Sequence, residues 1–267
     1  MSLARALKAS PTLFRVGFAG AVAYRAELLV WMLSTTTPFV MLALFSAVAA
    51  EQPIGNYDQR QLGLYFIATF IVRQLTGSWA AWEINFEVRQ GTLSVRLLRP
   101  VHPIIGYAIE NLAAIPLRLI IVIPVVVGAI AYFGAGWLPS SAVKWAAFAA
   151  AALGGWLITY LINVAIGSLS LYIESSVKVL DVYLVLFFVF SGYTIPVDLF
   201  PGWLATLGEW LPFRYQIALP VQILTSAHDT EAVARELVRQ WAFVVGLLVT
   251  TSVLWQRAIR RYGAFGG

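Results

Sequence analysis

Long apolar stretches separated by short polar connections make up most of the chain. The first, residues 26–49, contains a single ionisable group, Glu27 at its edge. Five further stretches have the same character, and they cover residues 62–82, 104–133, 142–171, 179–196 and 238–256. A helix needs roughly 20 mainly apolar residues to cross a hydrocarbon core, where irregular backbone cannot satisfy its polar groups. The pattern therefore predicts an all-α polytopic membrane protein with six transmembrane helices, in one transmembrane domain over residues 1–267.

The composition agrees with this prediction. Apolar residues make up 60% of the chain and charged residues 12%, whereas a soluble domain averages about 25% charged residues. The chain has no cysteine, which excludes disulfides, thiolate nucleophiles and cysteine-based metal sites. We expect no catalytic, cofactor-binding or metal-binding residues in the chain, and no role for nucleic acid in its net charge of +5.

The distribution of basic residues predicts the orientation. With the N-terminus inside, eleven Lys and Arg residues fall on the inner side of the six stretches and five on the outer side. Cytoplasmic connections carry the excess of Lys and Arg in membrane proteins. We therefore expect both termini to be cytoplasmic.

Prolines and small polar residues interrupt several stretches. Pro38 is predicted to kink the first helix, and Pro116 and Pro124 the third. In the fourth, small and polar residues recur at helical spacing, and they either form a packing seam or line a pathway: Gly155, Thr159, Asn163, Gly167 and Ser170.

The segment before the first stretch, residues 1–25, mixes apolar and basic residues. Ser10 and Pro11 are typical of a helix N-cap and first helical position. The segment is predicted to be an amphipathic interfacial helix on the inner membrane surface; a basic juxtamembrane tail is the alternative.

The cytoplasmic connection, residues 83–103, contains a second short helix. Gly91 breaks the incoming helix and Pro100 ends the next one. Leu93, Leu97 and Leu98 are predicted to form one apolar face, with Arg96 and Arg99 beside it. Such a helix is either a lever that a partner protein moves or an interfacial helix with basic anchors.

The outer connection, residues 196–224, is too apolar for an ordinary loop. Pro196, Pro201, Pro212 and Pro220 break it too often for one membrane span. Short re-entrant helices that dip into the outer leaflet fit this pattern, and helices lying flat on that leaflet are the alternative.

Three charges fall inside the predicted spans: Arg73, Glu110 and Arg118. A central Arg costs about 2.5–3.5 kcal/mol on insertion scales, so these residues are expected to face protein or water. We expect Glu110 to lie near Arg73. The group is either a site for an anionic or amphipathic substrate, or a structural ion pair with Arg118 bound by carbonyls.

The two connections together resemble those of the permease subunits of type 2 ABC exporters. That family has a Glu-x-x-x-Gly-Thr-Leu…Leu-Leu…Pro segment after its second span, and the matching residues are Glu87, Gly91, Thr92, Leu93, Leu97, Leu98 and Pro100. It also has a Ser-Gly…Pro…Leu-x-Pro-x-Trp-Leu…Leu-Pro-Phe segment after its fifth span, matched by Ser191, Gly192, Pro196, Leu199, Pro201, Trp203, Leu204, Leu211, Pro212 and Phe213. Ser94 departs from the pattern, since many relatives have Glu there.

The resemblance implies a bacterial six-span subfamily whose permeases are encoded beside a separate ATPase. The chain would be the membrane-spanning subunit of an ATP-driven exporter in the inner membrane, paired with a second permease, identical or homologous. It has no Gly-x-x-x-x-Gly-Lys-Ser/Thr phosphate loop, so ATP and Mg²⁺ would bind to two copies of a partner ABC ATPase.

The same resemblance assigns roles to residues. The ATPase-coupling residues would be Glu87, Gly91, Thr92, Leu93, Arg96, Leu97 and Leu98. The outer gate would contain Pro196, Pro201, Trp203, Pro212 and Phe213. The candidate pathway or intramembrane polar residues are Arg73, Glu110, Arg118, Thr159 and Asn163.

Two other function classes are open. An ATPase-independent channel or an assembly factor would have the same spans. An intramembrane enzyme is less favoured, because His102 and His228 are predicted on opposite membrane faces and Asp181 and Asp198 at opposite ends of the fifth span.

Overall fold

The computed structural model describes residues 3–23, 25–26, 30, 35–173, 175–225 and 230–262. Within these residues the fold is all-helical and contains no strand, which confirms the predicted class. In chain order the helices are α1 (Leu3–Ala23), α2 (Thr37–Ala49), α3 (Gln59–Thr76), α4 (Ala80–Gln90), α5 (Leu93–Leu97), α6 (Pro103–Ala113), α7 (Ile115–Phe133), α8 (Ala142–Ser168), α9 (Val177–Phe190), α10 (Gly202–Glu209), α11 (Ala218–Thr225) and α12 (Thr230–Ile259). Short 3-10 turns cover Ala135–Trp137, Leu169–Leu171, Val197–Leu199 and Pro212–Tyr215.

Three helical segments of the described chain are long and apolar enough to cross a membrane. They are Pro103–Phe133, Ala142–Leu171 and Thr230–Ile259, and they correspond to the third, fourth and sixth predicted spans. α2 is apolar but has only 13 residues, and α9 has 14. The count of six spans therefore stays a prediction.

The N-terminal part differs from the prediction in two details. α1 begins at Leu3 and contains Pro11, so the predicted N-cap at Ser10 is wrong. Pro38 lies in the first turn of α2 and starts that helix instead of kinking it, because a proline needs no hydrogen-bonded N–H there. Of the predicted first span, residues 27–29 and 31–34, Glu27 among them, lie outside the described residues.

The second and third predicted spans are each broken into two helices. α3 ends at Thr76 and α4 begins at Ala80, with Gly77 in an extended conformation between them. α6 and α7 are separated at Ala114, because Pro116 cannot donate a hydrogen bond to the preceding turn.

α3 is the central helix of the bundle. Its residues from Leu62 to Val72 are almost all buried, and it packs against α2, α7, α8 and α11. α8 packs against α12 on one side and α4 on another. A Cβ on Gly167 of α8 would lie 2.8 Å from the Ile84 side chain of α4, so this glycine permits the close contact that positions α4 and the segment following it.

Candidate functional site

The short helix α5 follows a sharp turn at Gly91. Gly91 has φ of +73°, a left-handed conformation that glycine adopts readily, and it ends α4 where the sequence predicts. The predicted apolar face is wrong in one residue. Leu93 is fully buried, but Leu98 is 86% exposed because α5 ends at Leu97 and the helical periodicity ends with it.

Arg96 of α5 is the centre of a buried ionic cluster. Its guanidinium lies 3.0 Å from Glu83 and 2.6 Å from Glu87, both on α4, and 2.9 Å from Glu110 on α6. The interpretation of Arg96 as a basic anchor at the membrane surface is therefore wrong: the residue is only 7% exposed and binds three carboxylates. One side chain thus joins α5 to both neighbouring helices.

Tyr107 of α6 completes the cluster. Its hydroxyl donates to Glu87 Oε2 at 2.5 Å, and the Arg96 guanidinium lies 3.9 Å above the centre of its ring. Cation–π contact and charge-assisted hydrogen bonds both favour the guanidinium in this place. Tyr107 therefore links α6 to Glu87 of α4 by a second route.

The cluster has more negative than positive charge. Burial, and then the negative charge of Glu110, raise the pKa of Glu83 to about 8, against the opposing charge of Arg96. Burial disfavours the charge of Arg96, but its hydrogen bond to Glu87 and the surrounding negative charges outweigh burial and raise its pKa. Arg96 stays charged, and Glu83 is the carboxyl that carries a proton near neutral pH.

The expected pairing of Glu110 with Arg73 is wrong. Glu110 bonds to Arg96 and lies 3.9 Å from Arg99. Arg73 lies over the rings of Phe187, at 4.7 Å, and Tyr193, at 6.0 Å. The break at Ala114 keeps Glu110 on a separate helix from Arg118.

Arg118 of α7 binds the end of α3. Its Nη1 atom donates to the carbonyl oxygens of Gln74, at 2.8 Å, and Gly77, at 3.1 Å. The guanidinium lies 4.6 Å above the Trp79 ring. These carbonyls are free because α3 ends here, so Arg118 stabilises the helix end by hydrogen bonding and by opposing its dipole.

Thr159 and Asn163 of α8 are buried against protein. The Thr159 hydroxyl lies 3.0 Å from Gln216 Oε1, and the Asn163 amide donates to the Thr159 carbonyl oxygen. Gly155 on the same face approaches the backbone of Tyr215 and Gln216 so closely that a Cβ would lie 3.0 Å from both carbonyl oxygens. These are the contacts of a packing seam.

Comparison with protein families identifies the chain. A family model described as "ABC-2 family transporter protein" matches residues 31–266, nearly the full length. The chain belongs to the ABC-2 transporter family. Its members are membrane components of ABC transporters, so this chain is a permease component. No curated protein matches it.

The outer connection of the ABC-2 permease is broken where its prolines predict. Pro201 precedes α10 and Pro212 starts a 3-10 turn. α11 is buried and packs against α3 and α8, whereas Trp203 and Trp210 of α10 are 71% and 79% exposed. One part of the connection thus enters the bundle, and the other lies at its surface. Among the residues assigned to the gate, Pro196 and Phe213 are buried, Pro212 is partly buried, and Pro201 is exposed.

Polar contacts join this connection to the start of α3. Asp198 accepts hydrogen bonds from the Tyr57 hydroxyl, at 2.7 Å, and from Gln222, at 3.0 Å. The Tyr65 hydroxyl donates to the Gly192 carbonyl oxygen at 2.7 Å. In the ABC-2 permease Asp198 therefore has a structural contact, and the sequence singled it out only as a possible enzyme residue.

His102 has a structural contact in the described chain. His102 accepts a hydrogen bond from the Ile104 backbone and caps α6, and burial lowers its pKa. His228 lies outside the described residues.

Two members of the Arg96 cluster, Glu83 and Tyr107, were not predicted from the sequence. The spacing of Glu83 and Glu87, four residues apart on one helix face, is a signal that could have predicted a shared cation.

Proposed function

We propose that this permease is the membrane-spanning subunit of an ATP-driven exporter and that α5 is its coupling helix. ATP and Mg²⁺ bind to a separate ABC ATPase, present in two copies, whose movement enters the permease at α5. A second permease, identical or homologous, completes the substrate pathway. The protein lies in the bacterial inner membrane with both termini in the cytoplasm.

The observation that carries the proposal is the cluster around Arg96. A helix of five residues cannot transmit a displacement unless it is bound to larger elements, since a helix this short is only marginally stable by itself. Arg96 fastens α5 to α4 and α6 through three carboxylates. A push on α5 therefore moves the two helices that continue into the second and third predicted spans.

The outward side of α5 is suited to a partner. Val95 is 59% exposed and Leu98 86% exposed, and the Arg99 side chain is 52% exposed. Apolar side chains at the centre of a patch with an Arg at its edge are typical of protein–protein interfaces. Leu93 and Arg96 pack against the rest of the permease, so one side of α5 is bound to neighbouring helices and the other side is exposed.

A photo-crosslinking amino acid at Leu98 tests the proposal in native membranes. We expect a crosslinked partner that carries the Gly-x-x-x-x-Gly-Lys-Ser/Thr phosphate loop, identified by mass spectrometry. The same crosslinker at Trp203, exposed on the outer connection, is the matched control and should not capture this partner.

Two outcomes would reject the coupling role. One is capture of the ATPase from Trp203 and not from Leu98. The other is ATP-independent transport in vesicles that contain the permease alone, which would favour a channel.

A further inference from the structure

We propose that Arg73 and Arg118 form a binding site, at the break between α3 and α4, for an anionic group carried on an apolar tail. The anion is a phosphate or carboxylate of an amphipathic substrate. This inference rests on the proposed transport function, whose substrate class it names.

The two guanidinium groups converge on Gly77, in the break between the helices. A Cβ on Gly77 would lie 3.4 Å from Arg118 Nη1 and 4.0 Å from Arg73 Nη1. Glycine leaves this position open to both side chains. Two cations from different helices, α3 and α7, therefore share one small region.

Among the described residues, no neighbouring side chain neutralises the positive charge of this region. No carboxylate of the described residues forms an ion pair with Arg73 or Arg118. The end of α3 contributes only about half a negative charge, which is less than the charge of two guanidinium groups. An anion between the two would relieve their repulsion.

One nitrogen of Arg118 has no hydrogen-bond partner within the described part of the chain. Arg118 is 4% exposed; its Nη1 atom is satisfied by two carbonyl oxygens, while Nη2 is buried without a hydrogen bond. Buried donors are nearly always paired in native proteins, so this one indicates a missing acceptor. A phosphate or carboxylate oxygen is the acceptor that a guanidinium binds best.

The surroundings fit an anion with an apolar tail. The rings of Phe187, Tyr193 and Trp79 flank the two arginines. Trp79 is 38% exposed and Arg73 is partly buried, so the site has an accessible edge. On α9 next to Phe187, Phe188 and Val189 expose apolar surface on which a tail can lie.

The test is isothermal titration of the purified full-length permease in a neutral detergent. The probes are decyl phosphate, inorganic phosphate and decyltrimethylammonium. We expect decyl phosphate to bind at least tenfold more tightly than either of the others. If inorganic phosphate binds as tightly as decyl phosphate, the proposed role of the apolar tail is wrong. If decyltrimethylammonium binds as tightly as decyl phosphate, the site is not selective for anions and the proposal is wrong.

Variants connect the binding to the two arginines. Arg73→Gln should weaken decyl phosphate binding by roughly tenfold or more, because one charge-assisted contact is lost. Arg235→Gln removes an exposed arginine on α12 and should change nothing. If Arg118→Gln fails to fold, Arg118→Lys is titrated in its place, because it keeps the charge but has fewer hydrogen-bond donors.

Unchanged binding to Arg73→Gln would overturn the proposal and leave Arg118 as a helix cap only. The titration contains no ATPase, so its failure would leave the coupling role of α5 untouched. Failure of the Leu98 crosslink would in turn leave this site standing.

Discussion

Glu83 shows how a single residue makes the Arg96 cluster sensitive to pH. Its folded-state pKa of about 8 lies above its ordinary value of 4.5, because burial and the charge of Glu110 disfavour ionisation. The folded protein therefore holds this proton more tightly than the unfolded chain. The stabilisation of the fold by this bound proton is complete below about pH 4.5 and is lost as the pH rises through about 8.

The first prediction concerns Glu83→Gln. The amide resembles the protonated carboxyl, so the variant should lose less stability than the parent between pH 5.5 and 8.5. In the parent, Glu83 contributes at most about 1.4 kcal/mol per pH unit to the slope of the unfolding free energy against pH. Thermal unfolding in detergent at several pH values measures it. Glu209→Gln, at an exposed helix end, should keep the parent slope; identical slopes in all three proteins would contradict the assignment.

The second prediction compares two glycines with the same backbone requirement. Gly91 and Gly192 have φ of +73° and +82°, but only Gly192 is crowded: its Cβ would lie 2.7 Å from Tyr65 Oη and 2.9 Å from Ala218 Cβ. Gly91→Ala should cost about 1–2 kcal/mol for the left-handed backbone alone. Gly192→Ala should cost roughly 2–5 kcal/mol, since it adds overpacking. Chemical unfolding measures both, and equal losses would show that crowding at Gly192 is relieved.

At the scale of elements, α5 depends on its neighbours for its position. It has one and a half turns, and its described ionic contacts reach α4 and α6 through Arg96. At the C-terminal end of the described chain, the Tyr262 hydroxyl also donates to the Gly91 carbonyl oxygen. Four segments therefore meet at this short connection.

The third prediction is that Arg96→Gln detaches α5. Removing one partner of a buried ion pair leaves uncompensated charge, here the carboxylates of Glu87 and Glu110, at a cost of roughly 3 kcal/mol. Limited proteolysis at residues 91–100 should accelerate. Arg99→Gln is the matched control and should change stability by less than about 0.5 kcal/mol, because Arg99 is half exposed.

A double variant tests the charge explanation for Arg96. Glu87→Gln added to Arg96→Gln should recover part of the lost stability, because it removes one of the two repelling carboxylates. Strict additivity of the two changes would contradict the cluster as a unit.

At the scale of the whole molecule, α3 and α4 run between the outer connection and α5. Tyr57, just before α3, bonds to Asp198 of the outer connection, and Gly91, just after α4, leads into α5. α12 runs between the same ends, since its Glu236 lies beside Arg214 and Tyr262, three residues after its end, lies beside Gly91. The proposed gate and the proposed coupling helix thus lie at opposite ends of the bundle.

The fourth prediction uses the absence of cysteine from the chain. Leu98→Cys should react with a membrane-impermeant maleimide only in inside-out vesicles, and Trp203→Cys only in right-side-out vesicles. The parent chain provides a background without labelling. Labelling of both positions from one side would reject the orientation.

The residue patterns were sufficient for the three longest helices and for some of the helix breaks. Three of the predicted spans correspond to membrane-capable helices, and Gly91 ends α4 as predicted. Pro196, Pro201 and Pro212 of the outer connection precede or start short helical turns as predicted, whereas Pro220 lies inside α11 and does not break it. These features depend on local chemistry, namely apolar length, a missing N–H and a left-handed turn. The motifs around Gly91 and Pro212 also indicated the family to which the match over residues 31–266 assigns the chain.

Only the tertiary structure decided the partners of the charges. Glu110 was expected near Arg73, but the break at Ala114 and the turn at Gly91 bring it to Arg96, and Leu98 turns outward where α5 ends. Which cation meets which carboxylate depends on how separate helices pack, and hydrophobic periodicity contains no information about that. The sequence therefore determined the kind of protein and its longest helices, while helix packing determined the ionic cluster at α5 and the two arginines that converge on Gly77.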